Sequence, residues 1–126
     1  MKQKVNFRIS PPVSKLIGFY LIEAKAGKAV CEMKTRKEHQ NFNGTVHGGI
    51  LCDLADATMG YAFTSLLRAS QTGVTVEFKI NFLRLVSSGN LIRAVAKTIF
   101  AGKTLYFLEC DLFDSEKKLI AKAARE

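Results

Sequence analysis

Beyond the prolines at 11 and 12, the stretch VSKLIGFYLIEAKAGKAVCEMKT alternates apolar and polar positions on either side of KAGK. That pattern predicts a short N-terminal helix or turn followed by a hairpin. Positions 36–46 are polar and include Asn41, Asn43 and Gly44, the composition of a loop. The segment from Gly48 to about Leu67 is the one long helix candidate. After it the period returns to two, with Val74, Val76, Phe78, Ile80 and Phe82 of GVTVEFKINFL on one face. Strand-like runs near Leu91 to Phe100 and Leu105 to Phe113 meet at AGKT, and a last run near Leu119 to Ala124 follows DSEKK. One long helix and five or six strands without βαβ alternation predict an α+β fold with an antiparallel sheet.

Within the helix candidate, Ile50, Leu51, Leu54, Met59, Tyr61, Phe63, Leu66 and Leu67 cannot share one stripe. Such a helix is buried on more than one side, by a sheet curling round it and by a second subunit. With 126 residues, 48% of them hydrophobic, the chain suits a single domain over residues 1–126. The basic start MKQKVNFRIS lacks the apolar segment of a secretory leader. The longest apolar stretch, Ile50 to Leu67, is interrupted early by two carboxylates, so no membrane span is expected. Cys31, Cys52 and Cys110 are an odd number, widely spaced and without histidines at metal-ligand spacing. They read as small hydrophobes in a reducing cytoplasm, and no metal or other cofactor is expected. A net charge of +8 favours a polyanionic partner such as nucleic acid, a membrane surface or a multiply phosphorylated small ligand. Nucleic acid is the weakest of these, because Lys and Arg are spread along the chain without a recognition motif.

The chemistry concentrates in NFNGTVHGGILCDLADATMG, residues 41–60. Asp53 is placed in roughly the first helical turn, where the dipole favours a carboxylate. Asp56 lies deeper, flanked by Leu54, Ala55, Ala57 and Met59, and burial there requires a partner, a proton or a wet cavity. A Lys or Arg from the sheet would be the structural partner, and a cleft the catalytic one. Gly48 and Gly49 offer unhindered N–H groups at a helix start, suited to an oxyanion or a phosphate and equally to close packing. His47 is either an acid or base, or it orients the loop through a backbone hydrogen bond. His39 reads as exposed loop, Asn41 as a turn residue bonding its own backbone, and Thr75 as a strand threonine.

Together, GTVHGGILCDLADATMGYA, the preceding GKAVCEMKTRKEHQNFNGTVHGG and the following GVTVEFKINFLR resemble the hotdog-fold acyl-CoA thioesterases of the phenylacetate-degradation type, the PaaI-like group. The resemblance covers roughly Pro12 to Arg84. It implies a six-stranded antiparallel sheet wrapped around the long helix, and homodimers joined edge to edge that pair further into tetramers. It implies an acyl-CoA substrate, with Asp56 as general base or nucleophile on the thioester carbonyl and the Gly48 N–H polarising that carbonyl. Asn41 would position the nucleophile or water, and Thr75 would hold the water. Relatives often carry proline where this chain has Phe42. Leu51, Met59 and Phe63 are candidate pocket walls, and Arg84 and Lys103 are candidate partners of the coenzyme A phosphates. Two competing readings stand beside hydrolysis: a dehydratase or hydratase that pairs His47 with Asp56, and a non-catalytic acyl-CoA-binding module.

Overall fold

In the computed structural model residues 11–126 are described, so the stretch read above as carrying no leader lies outside the described residues. The elements are α1 (Pro12–Ile17), β1 (Phe19–Lys25), β2 (Lys28–Lys34), a 3₁₀ turn (Lys37–His39), α2 (Gly48–Thr64), β3 (Phe78–Phe82), β4 (Leu91–Ala101), β5 (Tyr106–Phe113) and β6 (Leu119–Arg125). The first hairpin closes at KAGK as the pattern predicts. Ala26 (φ 54°) and Gly27 (φ 81°) both take positive φ, which gives a two-residue turn whose twist matches the strands it joins.

All six strands join one antiparallel sheet in the order β1-β2-β4-β5-β6-β3. Alternation in β4 turns Ile92, Ala94 and Ala96 inward and leaves Arg93, Val95 and Lys97 outward. On α2 the buried residues are Leu51, Leu54, Ala55, Thr58, Met59 and Ala62, spaced alternately by three and one, a stripe that faces the sheet. The helix packs against all six strands, most extensively against β2, β4 and β5. Six strands laid flat would span about 24 Å, whereas a helix with its side chains is roughly 10–12 Å across. The sheet must therefore curl round α2, and register shifts in β1, β4 and β5 supply extra local twist. The architecture is α+β: a six-stranded antiparallel sheet around one long helix. Among the described residues no helix is long and apolar enough to cross a membrane.

Several expectations need correction. The helix stops at Thr64, not Leu67. Only Phe78–Phe82 of the run from Val74 forms strand, and Val74 and Val76 are exposed. β6 pairs with β3 only as far as Arg125, directly opposite Phe78, and Glu126 bonds back to Val76 and Glu77 outside the strand. Within one chain α2 buries a single stripe, leaving Cys52, Asp56, Gly60 and Tyr61 half-buried and Asp53 exposed on its other sides. His39 is not an exposed loop residue, as only 3% of it is accessible. Its Nδ1 accepts the Arg36 N–H at 3.1 Å, so Nε2 carries the proton and donates to the Ile17 carbonyl at 2.6 Å. The ring thereby ties α1 to the loop that leads into α2.

His39→Ala should lower unfolding free energy by about 1–3 kcal/mol, because the Ile17 carbonyl and Arg36 N–H lose their partner in a buried place. Urea denaturation measures this, and an unchanged midpoint would show that the bridge contributes nothing.

Candidate active site

The start of α2 is built by the histidine and the two glycines after it. His47 is the N-cap; its Nδ1 accepts the Gly49 N–H at 3.0 Å, and its carbonyl accepts the Ile50 N–H at 3.0 Å. These bonds engage two of the first helical donors, while the Gly48 N–H has no acceptor among the described residues. A Cβ at Gly48 would lie 2.9 Å from Cζ of Phe82, so the absent side chain is what lets β3 close over the helix start. Asn41 bonds its own turn, as its residue type predicts: Oδ1 accepts from the N–H groups of Asn43 (2.9 Å) and Thr45 (3.2 Å), and Nδ2 donates to Thr45 Oγ1 at 3.0 Å.

Asp56 has the paired environment that a carboxylate in this setting requires. Thr75 Oγ1 donates to its Oδ1 at 3.1 Å, and Arg125 Nη1 donates to the same Oδ1 at 2.9 Å. The same Nη1 also reaches the main-chain carbonyl of Asp56 at 3.1 Å. Both side-chain bonds fall on Oδ1, so Oδ2 accepts nothing among the described residues, and the Asp56 side chain remains 47% accessible. Arg125 by contrast is 8% accessible and lies 5.9 Å from the ring centre of Phe63. The sequence pattern did not single out Arg125. A usable signal was present, since Ala121, Ala123 and Arg125 share the inward face of β6, and Arg125 is the charged member of that series.

Asp53 stands in the second turn of α2 and not the first, a correction that removes the dipole as its explanation. Partial burial and the neighbouring Asp56 charge hold its carboxyl above the ordinary aspartate range. Burial likewise pushes the Cys31 thiol up to about 11, and Cys110 further, so both act as core side chains. Among the described residues no group of His, Cys, Asp or Glu is arranged to hold a metal ion.

Beside Arg125 a cavity of about 570 Å³ opens between the end of α2, residues 70–76 and the β4–β5 turn. Phe63 lines it, with Val74, Tyr106 and Leu108, and Lys103 stands at its wall. Leu51 and Met59 are in the core beneath the sheet and take no part in this cavity. Arg84 is exposed just past β3, where its N–H bonds the Ile120 carbonyl. The site thus brings Asp56 and Thr75 together, adds Arg125, and leaves Gly48 apart. Gly48 and Asp56 are eight residues apart, roughly 12 Å along the axis. One helix therefore cannot present both its free N–H and its carboxylate to one carbonyl.

The chain is similar to known proteins in both sequence and fold. The sequence profile of the thioesterase superfamily matches residues 43–121. Human acyl-coenzyme A thioesterase 13 is 37% identical over 103 residues, covering 81% of this chain and 73% of its own. Among solved structures, a conserved protein of Pseudomonas aeruginosa superposes with a TM-score of 0.86 at 32% identity, over 92% of this chain and 91% of that one. The PaaI protein of the E. coli phenylacetic acid degradation operon superposes with a TM-score of 0.85 at 26% identity, over 92% and 82% of the two chains.

The position of Asp53 has a stability consequence. A carboxyl held above its ordinary value in the folded state opposes folding once ionised and is harmless once protonated in both states. Asp53→Asn should therefore raise the melting temperature at pH 7, and the gain should vanish as pH falls below the ordinary aspartate range. A melting temperature lowered at pH 7 would return Asp53 to a stabilising, dipole-facing role.

Proposed function

The chain belongs to the thioesterase superfamily, and from that premise we propose that it hydrolyses acyl-coenzyme A thioesters of small or medium acyl or aryl groups to the free acid and coenzyme A. The observation that carries this reading is the carboxylate of Asp56, fixed through Oδ1 by Thr75 and Arg125 and open at Oδ2. A carboxylate oriented in this way, next to an arginine that lines a cavity, suits a general base or nucleophile. In the general-base form, Oδ2 takes a proton from water as its oxygen bonds to the thioester carbon. The tetrahedral intermediate then collapses, the C–S bond breaks, and the proton passes to the departing thiolate. Direct attack would use the same open oxygen.

In this reading the Gly48 N–H supports the oxyanion, at the positive end of the helix dipole. His47 and Asn41 hold that N–H in place, the first as cap and the second through its turn. The Thr75 hydroxyl proton is spent on Asp56, and its lone pairs are left to accept from the water. The cavity beside Phe63 has room for the acyl group, while Gly49, Arg84 and Lys103 are the proposed contacts for the rest of the substrate. A hydratase would pair His47 with Asp56, and their nine-residue separation, roughly 13 Å along the axis, argues against that pair within one chain.

The separation of Gly48 from Asp56 leads us to a homodimer with shared sites, Gly48 and Asn41 from one subunit facing Asp56 from the other. In a two-fold pair with antiparallel helices, the start of one lies beside the middle of the other, and the arrangement occurs twice. We assign the protein to the cytoplasm, as one domain over residues 1–126, with further pairing into tetramers.

Two measurements test this. Thiol release from a panel of acyl-CoAs should identify a substrate on which Asp56→Asn lowers kcat by roughly 10² to 10⁴-fold without loss of folding. Near-normal turnover in that variant would end the proposed mechanism. Inactive Asn41→Ala and Asp56→Ala proteins, unfolded and refolded together, should regain about a quarter of parental activity, because half the dimers are mixed and each has one intact site. No recovery would place both groups in a site within one chain.

A further inference from the structure

Arg125 is the charged side chain that the sheet buries against Asp56. The guanidinium is almost wholly inaccessible, and its Nε–H has no acceptor among the described residues. Burying a cation is costly, and one donor left unmet adds to the cost. The other buried residues of β6, Ile120, Ala121 and Ala123, are apolar, so an apolar side chain at 125 would continue the core without either penalty. Stability alone therefore does not account for this arginine.

What Arg125 does is visible in the two acceptors of one nitrogen. Nη1 has two hydrogens, and it directs one to Asp56 Oδ1 and the other to the main-chain carbonyl of Asp56. Holding a carboxylate and its own backbone from one point fixes both side-chain torsions of Asp56. Thr75 adds its bond to the same oxygen. We propose that Arg125 is a positioning residue, which with Thr75 clamps Oδ1 so that Oδ2 alone faces the reacting centre. This rests on the thioesterase reading. It deepens that reading by naming what aims the reacting oxygen, since an unclamped aspartate would spread its two oxygens over several orientations and lose the near-attack geometry.

The test is a double-mutant cycle in thioester hydrolysis by the full chain, with melting temperature recorded for each protein. Arg125→Ala should lower kcat by about 10 to 10²-fold. Arg125→Lys, which keeps a charge but not the fork, should fall between it and the parent. In the Asp56→Asn background the same Arg125→Ala change should cost less than about threefold, because a residue acting through Asp56 has nothing left to position. Guanidinium ion at sub-denaturing concentration should restore part of the Arg125→Ala rate and none of the Asp56→Asn rate, with sodium chloride of equal ionic strength as control. Should Arg125→Ala fail to fold, the Lys variant carries the same cycle. Losses that multiply in the double variant, or an Arg125 variant within twofold of the parent, would overturn the positioning role alone. A parent inactive on every thioester would remove the functional reading and this inference with it.

Discussion

Close approach between one helix and the inner face of the sheet is the constraint on which everything else depends. It is made possible by small side chains: Ala29 on β2, Ala94 and Ala96 on β4, and Ala121 and Ala123 on β6 are all buried beneath α2. Bulkier residues at those positions would lift the helix off the sheet. Packing then falls to the helix's own Leu51, Leu54 and Met59, with Met33, Ile92, Leu108 and Leu112 filling the spaces between the small residues. With the helix seated so low, edge strand β3 reaches its start, and Phe82 rests against Gly48. The same seating brings the end of β6 within hydrogen-bond reach of Asp56, 69 positions away in sequence.

Placement of Asp56 balances two opposed requirements. Full burial would demand pairing of both oxygens, and full exposure would leave the carboxylate unoriented; at 47% accessible it keeps one oxygen bonded and one open. The neighbouring Asp53 shows the cost of the arrangement. Two carboxylates three residues apart lie on adjacent positions of one helix face, and the Asp53 carboxyl is raised first by partial burial and then by the Asp56 charge.

Periodicity made most of the fold legible. The alternation over Leu91–Lys97 of β4 and along β5 follows because one face is covered by the helix and the other is not, and the first hairpin is marked by its turn. What failed depended on distant partners. Val74 and Val76 continue the alternation of β3, yet the regular pairing with β6 stops at Phe78, opposite Arg125. His39 lies in a polar loop, and nothing local to it shows that the Ile17 carbonyl waits 22 positions upstream. In the candidate site, HGG was legible because its chemistry is local, a cap and a free N–H within three residues. Asp56 was legible as a carboxylate in need of a partner, whereas the identity of that partner belongs to the register of β6 on β3 and β5.

The cap at α2 agrees with the oxyanion role proposed above for the Gly48 N–H. Serine, aspartate and asparagine are the usual side chains at this position, and aspartate would add a full negative charge beside the first N–H groups. A donor meant for an oxyanion is weakened by an anion at the same place. His47 accepts the Gly49 N–H through a ring nitrogen that carries no proton, so it satisfies one orphan donor without placing negative charge near Gly48. The acidic residues of α2 begin only at Asp53, beyond the first turn. The helix start is thereby kept free of carboxylates, and the carboxylate chemistry is confined to its middle, where Thr75 and Arg125 hold it.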